Sequence, residues 1–254
     1  MSTPLKVTAW LAAPLVGDPP HLDALCEWVV SQYAVSIERT LSGSGDPLRH
    51  QEIADCPHRS QRAPRCGAMP IPIDRVKLSD DVIVSRCSSP LFRTDYEYVD
   101  HFAMRIDAGN VGPLMAETGP QTIQHGSTAT KAMFRPLRVR VVERVVWFCV
   151  AHGSQSGGTK RSPQGCLRKV LREIAGLGKK VAYGYGRVAK WEVEPFHADW
   201  SWFAPSDAGP VLMRALPRRL IELPERLQGY RESFGAVAPP YWHPERYMEI
   251  VEPC

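Results

Sequence analysis

Apolar positions along this chain fall into a few sharply patterned stretches, separated by long turn-rich ones. Leu5 to Ala13 reads as a strand, ended by Gly17-Asp18-Pro19-Pro20. Leu22, Leu25, Cys26, Val29, Val30 and Tyr33 then recur at helical spacing. This single stripe predicts an amphipathic helix from about residue 20 to the late thirties, opened by Asp18 and the prolines. Residues 42–69 have loop composition. Ile71 to Asp74 and Asp81 to Cys87 read as short strands, the first at an edge because of Pro72. From 88 to 137 the periodicity is weak and turn signals are dense, which marks an insertion with one strand near Tyr98 to Ile106. Leu137 to His152 is so rich in valine and aromatic residues that it predicts one long strand. Ser162-Pro163 caps a second helix whose stripe is Leu167, Val170, Leu171 and Ile174, and Gly176 stops it. Alternation over Arg187 to Glu194 gives a last strand.

The order is strand, helix, short strand, insertion, strand, helix, strand. That is an α+β chain of βαββαβ type, the ferredoxin-like arrangement shared with RNA-recognition domains. The expected division is a domain at 1–194 with an inserted thumb at about 88–137, followed by an irregular proline- and tryptophan-rich extension at 195–254 packed on it.

Composition changes the picture in two respects. No apolar run approaches the roughly 20 residues of a membrane helix, and the N-terminus lacks a signal-peptide pattern, so a cytoplasmic protein without membrane contact is expected. Seven cysteines, an odd number, fit reduced thiols. The net charge of +4 hides a marked asymmetry. Lys131 to Lys190 holds 14 Lys or Arg against two acids, Glu143 and Glu173, which is the footprint of a polyanion site.

Inside that segment, residues 176–186 read Gly-Leu-Gly-Lys-Lys-Val-Ala-Tyr-Gly-Tyr-Gly. Glycines permit left-handed backbone and close approach of phosphates, and successive N–H groups can form an anion nest. Lys179, Lys180 and Arg187 add charge, and Tyr183 and Tyr185 offer faces for base stacking. A plain glycine-rich turn is the bland alternative. Gly184 to Ala189 also matches a dinucleotide fingerprint as a string, but that site needs a strand before it and a helix after it, the reverse of the order here.

A Gly-x-Gly, five residues, Gly-x-Gly loop after the second helix resembles the signature loop of CRISPR repeat-associated (RAMP) proteins. The whole chain resembles the Cas-five-like (Csf-three family) subunit of type IV effector complexes. The supporting strings are Pro20-His-Leu-Asp-Ala-Leu, Ser88-Ser-Pro-Leu-Phe, Leu177 to Val188 with Trp191 beyond it, and Pro239-Pro-Tyr-Trp-His. The resemblance implies a non-catalytic subunit without cofactors. Its partners would be the 5′ handle of the CRISPR RNA, the Cas-seven-like backbone subunit, the large subunit and, through the complex, target DNA. RNA-binding candidates are Lys179, Lys180, Tyr183, Gly184, Tyr185, Gly186 and Arg187 in the loop. Arg161, Arg168 and Arg172 belong around the second helix, and Lys131, Arg135 and Arg138 in the thumb, with Arg140 beside them.

Relatives that cut CRISPR RNA use a general base, often histidine, and His21 at the start of the first helix is the candidate here, ahead of His152 and Tyr33. An endoribonuclease is therefore the second reading. His50, Cys56, His58 and Cys66 share one loop but lack the usual paired zinc spacing, so no metal is expected. Trp28, Trp147 and Trp191 are expected in the core; Trp200, Trp202 and Trp242 belong to the extension.

Overall fold

The computed structural model describes residues 2–41, 71–104, 133–156 and 159–254. In chain order the strands and helices are β1 (Ser2–Leu11), β2 (Leu15–Val16), α1 (Leu22–Leu41), β3 (Arg75–Lys77), β4 (Ile83–Ser85), β5 (Leu91–Phe92), β6 (Tyr96–Met104), β7 (Met133–Val141), β8 (Arg144–His152), β9 (Ser154–Ser156), β10 (Thr159–Arg161), α2 (Pro163–Leu171) and β11 (Val188–Pro195). The C-terminal part adds β12 (Phe203–Ala204), β13 (Val211–Leu212), β14 (Leu216–Pro217), β15 (Tyr230–Gly235) and β16 (Met248–Pro253).

The central sheet has the order β11-β1-β8-β5 with antiparallel neighbours throughout. Strand β5 is therefore parallel to β1, with α1 in the connection, and β11 is parallel to β8, with α2 in theirs. These are the two split βαβ units of a ferredoxin-like sheet. Register follows from the alternation: Leu5, Val7 and Ala9 of β1 lie opposite Cys149, Trp147 and Val145 of β8. All six are buried with Leu22, Leu25, Cys26 and Val29 of α1 and Leu167 and Leu171 of α2. Trp147 and Trp191 stack within this core, 5.9 Å between centroids. Ser162 caps α2 by accepting from Gly165 N at 3.2 Å, with proline at the first helical position.

Three expectations are corrected. The stretch 137–152 is two strands, because the chain turns at Val142–Glu143. Strand β8 enters the central sheet, whereas β7 pairs with β2 and with β6. β-Propensity identified the strands but not the turn, since no glycine or proline marks it. The described part of the insertion includes a two-stranded ribbon, with Tyr96–Met104 in register against Met133–Val141. Second, neither 71–74 nor 81–87 is the fourth strand. The outer edge of β8 is shared by Leu91–Phe92 and by single bridges from Ile73 and Cys87. Asp74 N donates to Val150 O (2.8 Å), and Val150 N to Arg86 O (2.9 Å), so broken segments still close the edge. Third, the C-terminal segment is not irregular. Its strands build a separate core in which Leu212, Leu216, Val237, Ile250 and Val251 enclose Val82 and Val84 of the β3–β4 hairpin. Trp28 also departs from expectation, being 48% exposed on α1. Trp200 covers Phe148 on the sheet face opposite the helices, and Trp202 donates to Ser85 O at 3.0 Å. No helix among the described residues is long and apolar enough to cross a membrane.

Candidate nucleic-acid interface

The glycine-rich loop runs from the end of α2 to the start of β11 and is bound along its backbone to the segment after β1. Gly186 N donates to Pro14 O and Lys179 N to Val16 O, both at 2.7 Å, and Leu177 N donates to Gly186 O at 2.8 Å. Tyr183 N and Gly184 N donate to Lys180 O and Val181 O. These N–H groups are engaged internally, which removes them from the anion nest suggested by the sequence. Two glycines are demanded by packing. A Cβ on Gly178 (φ +77°) would sit 2.6 Å from Val16 O, and one on Gly186 (φ +62°) 2.0 Å from Leu177 O. Gly184 (φ +93°) differs: nothing lies within 4 Å of its Cβ position. It is exposed between Tyr183, 60% exposed, and the half-buried Tyr185.

The loop's charge is carried by side chains. Lys179 and Arg187 are exposed, and neither has a carboxylate partner among the described residues. Lys180, itself in left-handed backbone at φ +63°, holds its ammonium 5.3 Å from the centre of the Tyr183 ring. Tyr185 is committed elsewhere: its hydroxyl donates to Asp100 Oδ2 on β6. That bond, with burial a lesser cause, pushes the tyrosine up to about 12 and holds the Asp100 carboxyl below its ordinary range. It joins the loop to the ribbon.

The other candidates do not form one patch. Arg172 is exposed just past α2, at the loop end of that helix, whereas Arg161 lies before its start. Nine residues at about 1.5 Å each separate the two ends. Arg168 donates to Val193 O at 2.8 Å, so its guanidinium lies along β11. In the ribbon, Arg138 pairs with Glu97, and Arg140 with Asp18 (2.7 Å) and Glu97 (3.5 Å), which neutralises both. Arg135 stands opposite Phe102 in the β6–β7 register; its side chain, like that of Tyr33, lies outside the described residues. Lys131, His50, Cys56, His58 and Cys66 also lie outside them. Sequence reasoning placed a strand near Tyr98 to Ile106 but did not single out Asp100, the partner of Tyr185, because the turn-rich insertion obscured the strand's alternation.

The first and last of the supporting strings meet at a different place. Arg214, fully buried between β13 and β14, donates through Nη2 to Asp23 Oδ2 and Val237 O (both 2.8 Å) and through Nη1 to Cys87 O (3.1 Å). The Tyr241 hydroxyl also lies against it and donates to Asp23 at 2.9 Å. Burial opposes ionisation of Asp23, but the Arg214 charge, the nearby His21 and the Arg214 and Tyr241 hydrogen bonds hold its pKa below the ordinary value. His21 stacks on Tyr241 at 4.5 Å, and its Nδ1 is sealed without a hydrogen-bond partner among the described residues. Burial, then the Arg214 charge, lowers its pKa to about 4 against the opposing pull of Asp23. His152 is a partly exposed surface residue bonded through Nδ1 to Asp74 Oδ1 at 2.9 Å. No cluster of three or more His, Cys, Asp or Glu suited to a metal occurs among the described residues.

No protein-family model and no curated protein sequence matches this chain. Among solved structures, a chain in the cryo-EM structure of the type III-B Cmr-beta complex bound to cognate target RNA is similar at a TM-score of 0.31 and 10% identity. The similarity covers 76% of this chain, which spans 61% of that one.

Proposed function

We propose that the chain is a non-catalytic guide-RNA-binding subunit of a CRISPR ribonucleoprotein, of the Cas-five-like kind found in type IV systems. The observation that carries this reading is the loop after α2. Its backbone is fixed by its own packing, while Lys179, Arg187 and the Tyr183 ring are turned outward and Gly184 leaves open space beside them. A rigid cationic turn with an exposed aromatic face suits the phosphates and bases of a single strand. In that role it holds the 5′ handle of the CRISPR RNA, and the remaining surface meets the Cas-seven-like backbone subunit and the large subunit that presents target DNA.

The second reading, a metal-independent endoribonuclease, takes His21 as its base. In its favour, the ring is held neutral. Against it, a group titrating near 4 is a weak proton acceptor at neutral pH, and its Nδ1 is sealed. Incubating the full chain with labelled CRISPR repeat RNA in EDTA separates the two. Salt-dependent binding without cleavage is the expected result, and specific cleavage overturns it in favour of the enzyme.

A further inference from the structure

We propose that Tyr96 and Tyr98 on β6 form a second base-stacking face, which continues the RNA path from the glycine-rich loop onto the ribbon. This rests on the RNA-binding reading above and names residues outside the loop. Tyr96, Tyr98 and Asp100 alternate along the strand and so share one face, each about 6.7 Å from the next. The two rings lie near-parallel, 22° between planes and 6.0 Å between centroids, and Tyr96 is 64% exposed. Tyr98 is half-buried beneath this stack, so the exposed Tyr96 ring presents the flat π-surface that a base can cover and Tyr98 supports it from behind.

Placement favours a nucleic acid on this face, and the charge of β6 does not oppose it. The Tyr185–Asp100 bond ties the glycine-rich loop to the face that carries the tyrosine pair. Asp100 is the one acid that β6 turns to this side, and Tyr185 donates to it. Glu97 points to the opposite side, where Arg138 and Arg140 pair with it. A polyanion following the tyrosine row therefore meets no unengaged carboxylate of β6.

The test compares the full wild-type chain with Tyr96→Ala/Tyr98→Ala in anisotropy titrations. The probes are a single-stranded repeat RNA and an abasic RNA of equal phosphate count. Tyr96→Phe/Tyr98→Phe preserves the rings, and Val99→Ala on the opposite face controls for loss of fold. The expected result is that wild type prefers the base-bearing RNA by about ten-fold, within the range of stacking one base. The alanine variant loses that preference with an unchanged salt slope, and the phenylalanine variant keeps it. Wild-type RNA binding with an alanine variant equally sensitive to abasic substitution overturns the inference alone. So does retained RNA affinity with loss of a co-purifying protein, which would mark a protein-docking face. Absence of salt-dependent RNA binding by the wild type overturns both this inference and the reading beneath it.

Discussion

Replacing Arg214 with methionine tests the most deeply buried ion pair among the described residues. The Arg214 and Asp23 side chains are 1% and 0% exposed. Methionine fills much of the volume but removes the charge and the donors to Asp23, Val237 O and Cys87 O. The carboxylate is then left in the interior with Tyr241 as its side-chain donor. Breaking a buried pair from one side costs about 3–5 kcal/mol, a large part of the 5–15 kcal/mol of an ordinary fold. For a chain of this size that corresponds to a fall in Tm of roughly 6–20 °C. The pH response also changes sign. In the wild type the folded pKa of Asp23 lies below its unfolded value. Its contribution is therefore present above the unfolded pKa and is lost as pH falls through the folded one. In Arg214→Met burial acts unopposed by the guanidinium, the folded pKa rises above the unfolded one, and stability falls as pH rises past about 4. Urea denaturation followed by tryptophan fluorescence, repeated across the acid range, measures both effects. Adding Asp23→Leu removes the stranded charge and should restore most of the stability. A single-variant decrease under about 1 kcal/mol, or a double variant no more stable than the single one, would refute the reasoning.

The remaining predictions concern the loop and one carboxyl. Gly186→Ala should destabilise more than Gly184→Ala in urea melts. Both carry the left-handed penalty of about 1–2 kcal/mol, but only Gly186 adds a Cβ 2.0 Å from a carbonyl oxygen. Lys179→Ala with Lys180→Ala should weaken binding of repeat RNA and flatten its log–log salt dependence by about 0.7 for each phosphate no longer neutralised; an unchanged slope means that the loop does not touch the RNA backbone. Burial raises Glu27 to about 7 despite its Arg75 partner. The folded state then holds this proton where the unfolded state has released it, so stability declines from about pH 4.5 to 7. Glu27→Gln should reduce that decline when Tm is compared at pH 5 and pH 7.5.

The central sheet was legible because its core strands are long and strongly patterned. Leu5, Val7 and Ala9 alternate against Val145, Trp147 and Cys149, and the stripes of α1 and α2 follow helical spacing over several turns. What escaped was set by tertiary context. The turn at Val142–Glu143 carries no breaker, so two strands read as one. The strands at 203–204, 211–212 and 216–217 are two residues long, too short for any periodicity, and exist because they pair. Of the site, the loop and its charge could be read directly. Which cations remain without a carboxylate could not, because Glu97 and Asp18 lie 41 and 122 residues from the arginines they neutralise.

The strings that suggested kinship and the loop that suggested RNA turn out to have separate physical duties. His21 and Asp23 from the first string and Tyr241 from the last meet at Arg214, next to Cys87 and the Ser88 turn. Ser88 itself ties that turn to β8, its hydroxyl accepting from Phe148 N at 3.0 Å. The duty of these motifs in the fold is therefore to hold the C-terminal strands against α1 and the sheet edge. The loop, the Tyr185–Asp100 bond and the tyrosine row draw on different residues and, among the described residues, share no hydrogen bond with that node. Distant sites without shared partners add independently, to within about 0.3–0.5 kcal/mol. Arg214→Met should accordingly lower Tm while the folded fraction retains its RNA affinity and salt slope, and Lys179→Ala should do the reverse. A fall in both properties together in either variant would mean that the two regions form one unit, and the division of duties drawn from the hydrogen bonds would be wrong.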